Sequence, residues 1–222
     1  MKVALYSGGQ ERSNAEIHRV VAGQRMAYLP YTLEGAKPFF RRFERRYAAF
    51  GATSFCCIAA DDPQWSDKKR LREAQRELLR CDTIYLAGGN SFYFLAHLKR
   101  TGMFETLKRF AQRGGTIAGL SAGALILTPR IDLAGYPSFD SDENEIGLPQ
   151  RRWSGLGLVD FEFFPHYRRS KRYREALLRY SEKSRRAIYA CQDGGGLVRQ
   201  GRQFTIFGDA WCFHQGTETR LG

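Results

Sequence analysis

The run Thr116-Ile117-Ala118-Gly119-Leu120-Ser121-Ala122-Gly123-Ala124 is the most informative part of the sequence, because its pattern is that of a buried strand that turns directly into a helix. Its first five residues are small, apolar or β-branched, which is typical of an inner strand of a parallel sheet. The small residues around Ser121 permit a tight turn that holds the hydroxyl away from the backbone. We therefore expect a strand–turn–helix unit that presents Ser121 at the edge of a sheet.

Strand and helix patterns alternate on the N-terminal side of this unit. Strands are predicted at Lys2–Tyr6, Arg25–Tyr31, Ala52–Ala60, Thr83–Ala87 and Thr116–Leu120. Helices are predicted over 13–22, Lys37–Phe50, about 67–80, 91–100 and 103–113. This alternation predicts an α/β fold, a three-layer sandwich with a mostly parallel central sheet and helices on both faces.

The second half of the chain has a different pattern. Residues 129–155 are rich in Pro, Gly, Asp and Ser, and an irregular segment of that length inside a compact domain is usually functional. After it we predict a strand at Leu158–Phe164 and a helix at Arg172–Glu182. Short strands at Ile188–Cys191, Gly196–Val198, Gln203–Phe207 and Ala210–Phe213 then predict a small β-rich C-terminal part. Without a repeat or linker, we expect a single domain over residues 1–222.

The charge balance is strongly basic, with 35 Lys and Arg against 23 Asp and Glu. The basic residues are scattered among acids, so we interpret them as a solvated surface and expect no specific nucleic-acid partner. No apolar run reaches the ~18 residues of a membrane span, so no membrane association is expected. The apolar run after Met1 is too short for a secretion signal, which predicts a cytoplasmic protein.

Ser121 is the first candidate for chemistry. In the tight turn it could act as a nucleophile, with the N–H of Ala122 stabilising an oxyanion. The alternative is a serine that only caps a helix.

A second turn, Ala87-Gly88-Gly89-Asn90-Ser91, also follows a strand and precedes a helix. Gly88 or Gly89 could donate a second oxyanion N–H, because glycine lets the backbone approach a ligand closely. We expect Gly88, Gly89, Asn90 and Ala122 to bind the substrate or its oxyanion. The alternative is a simple turn in which Asn90 or Ser91 caps the next helix.

A nucleophilic serine needs a base, and four histidines are available. His166 follows a predicted strand directly after Pro165, and we expect it at the same sheet edge as Ser121. His18 and His97 lie in predicted helices where exposure to solvent is the simpler explanation, and His214 is a weaker competitor. His166 is therefore the predicted general base.

The base in turn needs a carboxylate that orients it. The segment Asp140-Ser141-Asp142-Glu143-Asn144-Glu145 is rich in acids, most of which are expected to face solvent. The residues alone leave Asp140, Asp142 and Glu143 open for this role.

These motifs, in this order, resemble the dipeptidase E (aspartyl dipeptidase) family of serine peptidases, with cyanophycinase a more distant relative. The resemblance runs from about Thr83 to Tyr167. It implies a class I glutamine amidotransferase-like fold in which serine replaces cysteine.

The resemblance also implies site residues. Ser121 and His166 match the family's catalytic serine and histidine, and the oxyanion donors would be the backbone of Gly89 or Gly88 and of Ala122. The family places its Asp in an Asn-Asp-x-Pro context that is absent here. Counting back from His166 puts Asp142 nearest that place, so Asp142 is the predicted third member. The missing tetrad leaves specificity for N-terminal Asp open.

The sequence thus predicts a serine-type peptidase that hydrolyses short peptides through an acyl-enzyme, and the resemblance leaves N-terminal Asp-X dipeptides as candidate substrates. The alternative is a non-catalytic module on the same fold that binds a small anion or a peptide. No His, Cys or Asp cluster has ligand spacing, so we expect no metal and no cofactor. The expected partner is a short peptide substrate, bound by a monomer or homodimer.

Overall fold

The computed structural model describes residues 1–8 and 15–221. The strands are β1 (Lys2–Tyr6), β2 (Arg25–Leu29), β3 (Ser54–Cys57), β4 (Thr83–Leu86), β5 (Thr116–Leu120), β6 (Glu162–Phe164), β7 (Ile188–Cys191), β8 (Gly196–Gln200), β9 (Gln203–Phe207), β10 (Ala210–His214) and β11 (Thr217–Arg220). The α-helices are α1 (Ala15–Val21), α2 (Ala36–Ala48), α3 (Lys68–Arg80), α4 (Ser91–Arg100), α5 (Met103–Gln112), α6 (Ala122–Leu127) and α7 (Lys171–Lys183).

Within the described residues the strands form two sheets. The larger has seven strands in the order β3-β2-β4-β5-β1-β8-β9. The strands β3, β2, β4, β5 and β1 run parallel to one another. Next to them, β8 is antiparallel to β1, and β9 is antiparallel to β8. The smaller has four strands in the order β11-β10-β7-β6, with β6 parallel to β7. The predicted α/β class and mostly parallel central sheet are confirmed.

Alternate residues of the parallel strands face two separate cores. Val3 and Leu5 lie in one core, together with buried side chains of α3, α4, α5 and α6. Ala4 and Tyr6 lie in the other core, together with buried side chains of α1 and α2. Because successive side chains of a strand point to opposite faces, helices cover both faces of the sheet, as the strand–helix alternation predicted.

The element bounds follow the predictions closely up to residue 127 and less closely beyond it. Residues 13 and 14 of the first predicted helix lie outside the described residues. The strand β6 is shorter than predicted, because residues 158–161 form bends. The strand β11 was not predicted, because it is a polar edge strand without the apolar alternation of a half-buried one.

Two glycines bring α6 close to the sheet. A Cβ built on Gly119 would lie 2.4 Å from the backbone of Gly123, and one on Gly123 would lie 2.3 Å from the carbonyl oxygen of Leu86. The N–H of Gly123 donates to the carbonyl of Ala87 at 3.1 Å. Larger side chains would therefore push α6 away from β4 and β5, and the turn at Ser121 would move with it.

No helix of the described chain is both long enough and apolar enough to cross a bilayer. The single domain and the cytoplasmic location stay predictions.

A buried histidine lies in the core between the sheet and α2. His18 is 1% exposed, and its Nδ1 lies 3.3 Å from the hydroxyl of Tyr6 and 3.2 Å from that of Tyr47. Burial, together with the nearby Arg46, lowers the pKa of His18 from 6.5 to about 3. The expectation that His18 faces solvent is therefore wrong.

This burial predicts acid sensitivity. The folded-state pKa of His18 lies below its unfolded value, so the neutral ring stabilises the fold fully above about pH 6.5. That contribution is lost as the pH falls toward 3, at up to about 1.4 kcal/mol per pH unit. We expect His18→Phe to flatten this slope in urea unfolding measured between pH 7 and pH 4. His214→Phe is the control, and equal slopes in the two variants would contradict the prediction.

Candidate active site

Ser121 sits at the sharp turn between β5 and α6. Its backbone has φ 51° and ψ −112°, a region that a residue with a Cβ rarely adopts. Such strain costs on the order of 1–3 kcal/mol and persists only when the surroundings enforce it. Here the N–H of Ser121 donates to the carbonyl of Tyr6 at 2.9 Å, and α6 packs tightly behind the turn. This is the sharp strand-to-helix turn that holds a serine side chain out at the edge of a sheet.

His166 is the residue that faces the Ser121 hydroxyl. Its Nε2 lies 2.9 Å from Ser121 Oγ. It comes two residues after the end of β6, a strand of the smaller sheet, so the prediction that it lies on the edge of the Ser121 sheet is wrong. The two sheets converge at this point, which brings His166 to Ser121 by a different route. His166 also has a positive φ of 57°.

Asp193 occupies the position beside His166 that was expected of the acidic loop. Its Oδ1 lies 2.6 Å from His166 Nδ1. Asp193 lies in the turn after β7, and β7 runs parallel to β6, so the two side chains come from the ends of neighbouring strands. The side chains of His166 and Asp193 are 43% and 58% exposed, so this pair orients the imidazole more than it stabilises the fold.

The acidic loop makes other contacts, so the placement of Asp142 beside His166 is wrong. Asp142 Oδ2 accepts from the N–H of Ser91 at 2.8 Å, at the start of α4. Asp140 Oδ2 accepts from the hydroxyl of Tyr173 at 2.6 Å. The carbonyl oxygen of Glu143 accepts from Asn90 Nδ2 at 2.8 Å. A carboxylate is favourable at a helix N-terminus, which explains where Asp142 is held.

Two of the predicted oxyanion donors, Gly88 and Ala122, lie beside Ser121. Gly88 lies next to it, since a Cβ on Gly88 would be 3.6 Å from Ser121 Cβ. Ala122 is the first residue of α6, and the helix itself supplies no acceptor for that N–H. The structure therefore brings the Gly88-Gly89 turn, Ser121 and Ala122 together, as the sequence predicted.

The side chain of Asn90 caps the N-terminus of α4. Its Oδ1 accepts from the N–H groups of Phe92 and Tyr93 at 3.0 and 3.1 Å, which caps α4. Since its Nδ2 donates to Glu143, the side chain is engaged at both ends. The capping alternative is therefore confirmed for the side chain, and substrate binding by Asn90 stays a prediction.

The chain matches a known peptidase family over most of its length. The model of Peptidase family S51 matches residues 4–207, a span that contains Ser121, His166 and Asp193. The chain belongs to peptidase family S51.

Relatives of this S51 chain are peptidases by name. An uncharacterized peptidase of Pasteurella multocida is 39% identical over 97 residues, which are 44% of this chain and only 45% of the relative's length. Peptidase E of Streptomyces coelicolor is 27% identical over 215 residues, which cover 90% of this chain and 78% of that protein. The resemblance to peptidase E is confirmed.

A solved structure shares the fold of the S51 chain. It is a peptidase from an acI-B1 Actinobacterium, with a TM-score of 0.71 and 15% identity, over 99% of this chain and 93% of that one. Within the described part of the S51 chain, no group of three or more His, Cys, Asp or Glu side chains could hold a metal ion.

Ser7 and Gly8, the two residues after β1, contact the His166–Asp193 pair. The fully buried Ser7 Oγ accepts from the N–H of His166 at 2.7 Å and donates to the carbonyl of Cys191 at 2.8 Å. A Cβ on Gly8 would lie 2.6 Å from His166 Cε1 and 2.7 Å from Asp193 Oδ1, so only glycine fits there. The end of β1 thus positions both side chains.

Ser7→Ala tests this role. The buried N–H of His166 would lose its acceptor, which lowers the free energy of unfolding by about 1–3 kcal/mol. We also expect a slower reaction of Ser121 with a fluorophosphonate, because His166 is no longer held. Denaturant unfolding and the labelling rate check both effects, with Ser66→Ala at an exposed hydroxyl as the control. Values equal to those of the control would show that Ser7 does not position His166.

Proposed function

We propose that this S51 chain is a serine-type peptidase that hydrolyses short peptides through a covalent acyl-enzyme. The observation that carries the proposal is the hydrogen-bonded series Ser121 Oγ–His166 Nε2 and His166 Nδ1–Asp193 Oδ1, at 2.9 and 2.6 Å. A nucleophile, a base and an orienting carboxylate in contact are the parts that acyl transfer needs.

In the first half of the reaction, His166 Nε2 takes the proton from Ser121 Oγ as the oxygen attacks the peptide carbonyl. The negative oxygen of the tetrahedral intermediate lies near the N–H groups of Gly88 or Gly89 and of Ala122, which stabilise it. Asp193 fixes the tautomer of His166 and stabilises the imidazolium that forms. His166 then protonates the leaving amine, and the C–N bond breaks.

In the second half, water replaces the departed amine. His166 accepts a proton from that water as it attacks the ester carbonyl of acylated Ser121. The same amides hold the second oxyanion, and collapse of the intermediate releases the acid and restores the serine. The exposure of His166 and Asp193 lets solvent water reach this position.

Substitution of the serine tests the proposal. Ser121→Ala removes the attacking oxygen, so kcat for a susceptible dipeptide should fall by at least about 1,000-fold, because only the oxyanion site and binding remain. A fluorophosphonate should label the unsubstituted protein once, at Ser121, as mass spectrometry of its peptides can show. A protein that hydrolyses no peptide and takes no label would favour the non-catalytic binding module.

A matched pair of substitutions tests which carboxylate orients His166. Asp193→Asn removes the charge beside His166 and should lower kcat by at least about 100-fold. Asp142→Asn keeps an acceptor for Ser91 N–H and should change kcat by less than about threefold. Steady-state hydrolysis of one dipeptide by both variants checks this, and the reverse order of effects would return the role to Asp142.

A further inference from the structure

A cavity of about 380 Å³ opens beside Ser121 at the ends of β2, β4 and β5. Its lining residues include Tyr28, Tyr31, Glu34 and Phe39, together with Gly88 and Gly89. The same two glycines are the candidate oxyanion donors. A substrate carbonyl bound to their N–H groups would therefore lie directly beside the cavity.

The walls of the cavity are aromatic. The Tyr31 ring packs against Gly89, since a Cβ on that glycine would be only 2.2 Å from the ring. Tyr28 is 7% exposed, and burial raises the pKa of its phenol, so it presents a neutral aromatic surface. Phe39 is 57% exposed and closes one side. Such walls favour an apolar side chain over a charged one.

Glu34 is the one residue with a full charge among the described residues that line the cavity. Neither lysine nor arginine from the described chain joins that lining. A carboxylate here attracts an ammonium group and repels a second carboxylate. Among the described residues of the lining, there is therefore no cation to recognise an aspartate side chain.

We propose that this cavity binds the N-terminal residue of the substrate, with an apolar or aromatic group against Tyr28, Tyr31 and Phe39 and an ammonium group at Glu34. This inference rests on the proposed peptidase function. It makes Asp-X peptides poor substrates, because their side chain would bring a second negative charge to Glu34. The ammonium is either the free α-amino group or the side chain of an N-terminal Lys, and the experiment separates these sources.

The experiment compares kcat/KM for Phe-Leu, N-acetyl-Phe-Leu, Lys-Leu and Asp-Leu. We expect Asp-Leu to be at least about 100-fold poorer than the better of Phe-Leu and Lys-Leu, because like charges in one site cost several kcal/mol. Glu34→Gln should lower kcat/KM about fivefold or more for the substrate that carries the recognised ammonium, mainly through KM. A loss shared by Phe-Leu and Lys-Leu but absent from N-acetyl-Phe-Leu identifies the α-amino group, and a loss confined to Lys-Leu identifies the side chain. Glu73→Gln, on the exposed face of α3, is the matched control and should have no effect.

A second variant tests the apolar wall without disturbing the core. Phe39→Ala removes an exposed ring, so the protein should stay folded while kcat/KM for Phe-Leu falls about 10-fold. The inference is overturned if Asp-Leu is the best substrate, or if both Glu34→Gln and Phe39→Ala behave like Glu73→Gln. Labelling of Ser121 by a fluorophosphonate separates this failure from that of the proposed function: a labelled protein with the wrong preference refutes only the inference.

Discussion

One buried hydroxyl joins the two sheets of this protein at the candidate site. Ser7 follows β1 of the large sheet, and its Oγ bonds to the backbone of His166 and of Cys191, both beside strands of the small sheet. Its own N–H donates to the carbonyl of Gly195 at 3.0 Å, just before β8. Because Ser121 N–H is bonded to the residue before Ser7, one short segment sets the positions of the serine, the histidine and the aspartate.

The sequence was sufficient for the parts of the fold that local patterns encode. The alternating elements up to α6, the turn at Ser121 and the strand-end position of His166 all depend on nearby residues, and the structure confirms them. Asp193 was missed because its role depends on the pairing of β6 with β7, which no local pattern reveals. Its one local signal is an aspartate before three glycines, directly after a strand, which is also an ordinary turn.

Asp142 was misplaced for a related reason. Asp and Asn serve equally well at a helix N-terminus and in a catalytic cleft, and spacing cannot separate the two uses. In the structure the side chains of Asp142 and Asn90 cap α4 together, one at Ser91 and the other at Phe92 and Tyr93. His18 was misjudged because its helix offers a buried face, and a neutral imidazole between two tyrosine hydroxyls is tolerated there.

Because the carboxylate beside His166 is Asp193, the long segment 129–155 supplies no member of the Ser121–His166–Asp193 group. Segment 129–155 packs on α4 and α7 through Asp142 and Asp140, while the carboxylate beside His166 comes from a turn of the small sheet. The long segment and the Ser121–His166–Asp193 group therefore share no hydrogen bond through these three carboxylates. Changes of length or sequence in the segment can alter its packing on α4 and α7 without removing a member of that group.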